Sequence, residues 1–93
     1  MTDDRDGVRV WLVERTYSDD EQNLIILVYA TLDGTRYYRK ERALTSATDE
    51  RPTTAAVTVE PTNLGSVDDP ALRTQYATEA SRMADEHDPD DDV

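Results

Sequence analysis

The 93-residue chain has no cysteine, no phenylalanine, a single lysine (Lys40), a single histidine (His87) and three glycines. Without cysteine, neither a disulfide framework nor a thiolate zinc site can form. Gly7, Gly34 and Gly65 stand apart from one another, so there is no glycine-rich phosphate loop. No serine sits in a nucleophile elbow, and the lone histidine is not placed to activate one. The longest apolar run, Leu24 to Ala30, falls far short of the ~20 residues that cross a bilayer. Met1 to Asp6 is polar and acidic, with no apolar stretch of signal-peptide character behind it. These absences point to one small cytoplasmic domain that is not an enzyme, binds no cofactor or metal and does not enter the membrane.

What is present is acid. The formal net charge is −11, from 21 Asp and Glu against 10 Lys and Arg. Asp outnumbers Glu fourteen to seven, and nine of the ten cations are arginine. Low lysine, abundant Asp and an isoelectric point near 4.2 resemble the composition of salt-in halophilic archaeal proteomes. At about 1 M salt the Debye length is about 3 Å, so dense carboxylates keep a chain hydrated while their mutual repulsion costs little.

Hydropathy alternation predicts strands over Arg9 to Tyr17 and Ala55 to Glu60; Asn23 to Thr31, apolar on both faces, reads as a central strand and Arg36 to Arg42, polar on both, as an edge strand. Asp33-Gly34 predicts a two-residue type I′ turn, which needs positive φ at both central positions. That turn sets Leu32 opposite Thr35, Ala30 opposite Tyr37, Tyr29 opposite Tyr38 and Leu27 opposite Lys40. Asp69-Pro70 opens a helix, with a carboxylate to cap free N–H groups and a first residue that needs none. The helix buries a stripe of Leu72, Tyr76, Ala80 and Met83, with His87 next in the same spacing at its exposed end. The expected fold is α+β, a four-stranded antiparallel sheet with one C-terminal helix packed on one face. Strand order 1-2-3-4 is the first expectation and 4-1-2-3, with the linker crossing over, the alternative. Residues 1–6 read as a disordered leader, 7–87 as the domain and 88–93 as a disordered acidic tail.

The register divides the sheet into two unlike faces. Val8, Val10, Leu12, Leu24, Ile26, Val28, Ala30, Leu32 and Tyr37 form the face for the helix. The other gathers Arg9, Trp11, Val13, Arg15 and Tyr17 with Ile25, Leu27 and Tyr29, and with Arg36, Tyr38, Lys40 and Arg42. It is basic, aromatic and free of acid, centred on a row Trp11–Tyr29–Tyr38. One helix cannot cover both faces, so this one is expected to meet a partner or to stand as an exposed patch.

A second copy or another protein is the first expectation, since Trp, Tyr and Arg concentrate at interface centres. Single-stranded nucleic acid or RNA is the alternative, because rings flanked by Arg on an open sheet suit stacked bases. About five phosphate contacts would lose roughly 3.5 log units of affinity per decade of salt, which disfavours it in brine. The acidic tail lying across the basic face is a third arrangement. Other chemistry is thin. His87 stands between Glu86 and Asp88 as an exposed residue, and Asp88, Asp90 and Asp92 lack the glycine and terminal glutamate of a calcium loop. Glu14 and Glu41, flanking Ile26 near Arg39, read as a marginal charge network and not as an acid–base pair.

Overall fold

The computed structural model describes residues 7–18, 24–43 and 53–93. The leader at 1–6 and most of the connections on either side of the hairpin lie outside those residues. The chain forms β1 (Val8–Ser18), β2 (Leu24–Ala30), β3 (Arg36–Ala43), β4 (Ala56–Val59), a 3-10 turn (Pro61–Asn63), β5 (Gly65–Ser66) and α1 (Pro70–Glu86). The class is α+β with an antiparallel sheet and one C-terminal helix, and the sheet has five strands in the order β4-β1-β2-β3-β5. The fifth was not expected. Gly65 and Ser66 carry no alternation to read, and they form a strand only because they run beside Arg36 and Tyr37 of β3. The crossover order holds, with β4 beside β1 and not beside β3.

The β2–β3 hairpin keeps the expected register, with Ala30 opposite Tyr37, Tyr29 opposite Tyr38 and Leu27 opposite Lys40. Its turn is a different one. The Gly34 N–H donates to the Thr31 carbonyl at 2.9 Å, and the Thr31 N–H donates to the Arg36 carbonyl at 3.1 Å. Gly34 alone of the glycines has positive φ, at 75°. A β-carbon there would also overlap the Arg73 carbonyl of α1, so the helix backbone rests directly on the turn. Asp33 ties the loop together. Its Oδ1 accepts from the Thr31 hydroxyl at 2.7 Å, the Thr35 N–H at 3.0 Å and the Thr35 hydroxyl at 2.8 Å.

β1 departs most from expectation. Trp11 pairs with Ala30 and Leu12 with Tyr29, but the next pair is Glu14 with Val28. Val13 is the extra residue of a β-bulge, and such a bulge exchanges the faces of everything beyond it. Before the bulge, Arg9 and Trp11 lie on the helix side while Val10 and Leu12 lie on the far side. After it, Arg15 and Tyr17 join Leu27 and Ile25 on the far side.

Each side therefore has its own core. On the helix side, Trp11 packs in a cluster with Ala55, Ala56 and Ala80, where small residues leave room for the indole. Beside it, Val28, Ala30, Val67 and Tyr76 cluster with Leu72 and Tyr37 against them. The predicted stripe Leu72, Tyr76, Ala80 and Met83 is the packed face of α1. Asp69 caps the helix by accepting the Ala71 N–H, with Pro70 at its first turn. On the far side, Val10, Leu12, Ile25, Leu27 and Tyr29 are buried, with Val57, Val59 and Leu64 packed against them. Leu64 arrives on the crossover between the two sheet edges.

The C-terminal segment makes main-chain bonds to the start of β4. Pro89 and Asp91 carbonyls accept the Ala56 and Ala55 N–H groups, and the Val93 N–H donates to Thr53. Main-chain pairing of this kind is blind to the aspartates that suggested disorder, and Val93 adds an apolar anchor against both clusters. The tail therefore runs beside the start of β4, and its last residue, Val93, packs against the cluster beneath the basic face.

Three hydrogen bonds hold the Asp33 carboxyl at a pKa of about 2, against an ordinary 3.8. A carboxylate depressed on folding adds stability above its unfolded pKa and loses it as pH falls through the folded one. The stability difference between wild type and Asp33→Ala should therefore be constant above about pH 5 and shrink between about pH 4 and 2. Because the loop is exposed, the plateau should be about 1 kcal/mol. Urea unfolding across pH 2–6 measures it, and a pH-independent difference would show that the carboxylate charge is not what the loop uses.

Candidate interaction face

The far side of the sheet is the surface to consider. Pairing places Arg15 and Tyr17 of β1 beside Leu27 and Ile25 of β2, and these beside Lys40 and Arg42 of β3. Tyr29 opposes Tyr38, and Arg36 continues the same face at the hairpin end. No Asp or Glu of the described strands shares it. Glu14, Glu41 and Arg39 are on the helix side.

The face differs from the one the alternation predicted in two ways. Arg9 and Trp11 are not on it. Trp11, 6% exposed, is under the helix, and the row Trp11–Tyr29–Tyr38 does not exist. The bulge at Val13 is the cause, since the alternation beyond it continues one residue out of step. Nor is the apolar centre open. Leu27 is 1% exposed and Tyr29 2%, so the floor of the face is core. What reaches solvent is a rim of Arg15, Tyr17, Arg36 and Lys40, with Tyr38 and Arg42 half-buried.

Tyr29 and Arg42 form the inner part of this rim. The Tyr29 and Tyr38 rings lie with centroids 6.1 Å apart and planes tilted by 38°. Burial raises the Tyr29 phenol above its usual pKa, and the Arg42 and Arg15 charges act against that rise from either flank. Arg42 donates through Nη2 to the Thr53 hydroxyl at 3.2 Å. It thus meets the chain that leads into β4. Its Nε is buried and has no hydrogen-bond partner among the described residues. Thr53 had no sequence signal. Only the crossover topology brings it there.

The remaining candidates separate. Arg39 and Glu41 form an ion pair at 2.5 Å on the helix side of β3. Glu14 is not part of it, because the bulge sets Thr16, not Glu14, opposite Ile26. Glu14 instead lies near Tyr76, whose phenol is raised first by burial and then by that carboxylate. His87 caps α1 and sits 3.7 Å from Asp91. Among the described residues no cluster of three or more potential metal ligands occurs, and no helix is long and apolar enough to cross a membrane. A concavity of about 350 Å³ lies at the start of α1, between Tyr37, Val67, Leu72 and Tyr76, with Asp68 and Asp69 at its edge. The Asp69 carboxylate is already spent on the helix cap.

A family model described as a family of unknown function, DUF7967, matches residues 3–93. The chain belongs to that family. Neither the curated proteins nor the solved structures contain a match. The match spans both the sheet and the helix, so the DUF7967 unit is the whole α+β domain and not one part of it.

The Tyr29 environment gives a direct check on the inner rim. Tyr29 should titrate above the ordinary tyrosine value of 10, and Arg42→Gln should move it higher still by removing a cation that favours the phenolate. Ring-carbon NMR shifts followed to alkaline pH measure this. A downward move in the variant would mean that Arg42 does not face the phenol.

Proposed function

We propose that the protein is a small non-enzymatic interaction module of a salt-adapted proteome, whose cationic sheet face receives the carboxylates of a protein partner. The observation that carries this reading is the segregation of charge. A chain of net charge −11 keeps Arg15, Arg36, Lys40 and Arg42 on one sheet face that no Asp or Glu of the described strands shares. Uniform acidity would serve solubility alone, whereas a face set apart in this way offers guanidinium forks, which match carboxylates in two-point geometry. Tyr17, 61% exposed, and Tyr38 add ring surface between the cations.

The same geometry weakens the nucleic-acid reading. Stacking on bases needs rings that present their faces, and Tyr29 and Trp11 are both buried, on opposite sides of the sheet. The exposed remainder would contribute through phosphate contacts, the part of the affinity that salt removes. Two copies meeting face to face are disfavoured as well, since cations would then meet cations.

The test is an NMR shift titration at 0.2 M KCl with an Asp-rich peptide and, separately, a single-stranded oligonucleotide of equal charge. The reading predicts shifts at Arg15, Arg36, Tyr38 and Lys40 with the peptide. In Arg36→Glu/Lys40→Glu, affinity should fall at least about tenfold, two lost charge pairs at about 1 kcal/mol each. Tighter binding of the oligonucleotide would favour the nucleic-acid reading, and shifts elsewhere on the chain would sink both.

A further inference from the structure

The outer edge of β3 is only partly used. β5 pairs with Arg36 and Tyr37 and then ends. From Tyr38 to Arg42 no described residue pairs with that edge, and Arg39, Lys40 and Glu41 are exposed. The direction of the free groups follows from the hairpin. Arg36 bonds inward, accepting from Thr31, whereas Thr35 bonds outward, its carbonyl accepting the Val67 N–H at 2.9 Å. Alternation along an antiparallel strand then turns the main-chain N–H and C=O of Arg39 and Glu41 outward. A row of such groups is a template for another strand.

The side chains specify which strand. Lys40 is the middle of the open stretch from Tyr38 to Arg42. A two-fold axis through it places Arg39 opposite the partner's Glu41 and Glu41 opposite the partner's Arg39. Both are hydrogen-bonding positions, so each pair would exchange its main-chain bonds. The Arg39–Glu41 ion pair, with side chains 49% and 46% exposed, would grow into a four-membered network. On the far side, Tyr38 would meet the partner's Arg42, a ring–guanidinium pair. Sliding the register by two residues in one direction opposes Glu41 to the partner's Glu41. In the other direction it opposes Arg39 to the partner's Arg39 and drives the strand into β5. One register is thus charge-complementary, and it uses the whole open edge.

We infer that the protein pairs with a second copy of itself, β3 to β3 about a two-fold axis at Lys40, joining the sheets into one of double width. The isologous arrangement closes on itself, so it makes a dimer and not a fibre. It would also set the cationic faces side by side as one longer surface, although pairing at the edge does not depend on that face having a ligand. Lys40 opposite the partner's Lys40 is the unfavourable element, and together with the net charge of each chain it makes the dimer salt-requiring. Main-chain hydrogen bonds are not weakened by salt as ion pairs are, which suits a chain of this composition.

The test is sedimentation equilibrium up to 1 mM protein at 0.1 and 1 M KCl, on wild type, Arg39→Glu, Glu41→Arg and the double reversal. Wild type should reach twice the monomer mass, more readily at the higher salt. Each single reversal sets like charges opposite each other and should weaken association by about tenfold, from pair energies of up to about 1 kcal/mol. The double reversal should restore it. Hydrogen exchange on wild type is independent of any variant's folding, and the Arg39 and Glu41 amides should slow as protein is concentrated. A monomer at 1 mM in 1 M KCl, unchanged exchange at those amides in a dimer, or a folded double reversal that stays monomeric would each overturn the inference. Arg39 and Glu41 project away from the cationic face, so these variants should bind the Asp-rich peptide as wild type does. Failure of the dimer is therefore distinguishable from failure of the binding face.

Discussion

One extra residue in β1 sets the character of both faces of this sheet. Val13, bulged opposite Val28, lets a single strand contribute Trp11 to one side and Arg15 and Tyr17 to the other. Without it, the chain's only tryptophan would stand among arginines, and Val10 and Leu12 would crowd beneath the helix. With it, the indole lies among alanines under α1, and the second half of the strand supplies Arg15 and Tyr17 to a face whose floor is already apolar. The bulge allows an eleven-residue strand to serve a core at one end and a surface at the other.

The topology completes what the bulge begins. A single helix covers one side of the sheet. The other is closed by Val57 and Val59 of β4, by Leu64 on the passage from edge to edge, and by the Tyr38 ring. Because these residues bury Leu27 and Tyr29, the arginines stand around a finished core and not over a bare apolar patch. That distinction shapes the function. An exposed apolar patch would want a hydrophobic partner, whereas a solid floor with a cationic rim suits a partner that brings carboxylates. Both sheet edges are partly closed by short pieces of chain, the C-terminal segment at the start of β4 and the two residues of β5 beside β3. What these leave open on β3 is short, charged and symmetric about Lys40.

Much of this was legible in the residues and some was not. The hairpin register followed from Asp33-Gly34, even though the turn closes from Thr31 to Gly34, because a loop spanning Leu32 to Thr35 keeps the same pairs opposite each other. The helix start at Asp69-Pro70 and the packed stripe at Leu72, Tyr76, Ala80 and Met83 were equally plain, since capping and 3.6-residue periodicity are local properties. The bulge was not legible. Val10 to Val13 is apolar throughout and Glu14 then falls in step with Leu12, but no glycine or proline marks which residue is to be left over. The alternation therefore misassigns Arg9 and Trp11, which lie on the helix side, whereas Arg15, Tyr29, Arg36, Tyr38, Lys40 and Arg42 share the far side. β5 and the pairing of the C-terminal segment are illegible for a related reason, since both arise from main-chain bonds to distant strands, to which composition is blind.

The central claim is that β1 changes face at Val13, and the lone tryptophan reports on it. Through-space NMR contacts from the Trp11 indole distinguish the two arrangements without any mutation. The account predicts contacts to the methyl groups of the Ala55, Ala56 and Ala80 cluster and none to the Tyr38 ring. Contacts from the indole to the rings of Tyr29 and Tyr38 would restore the uninterrupted alternation and contradict it.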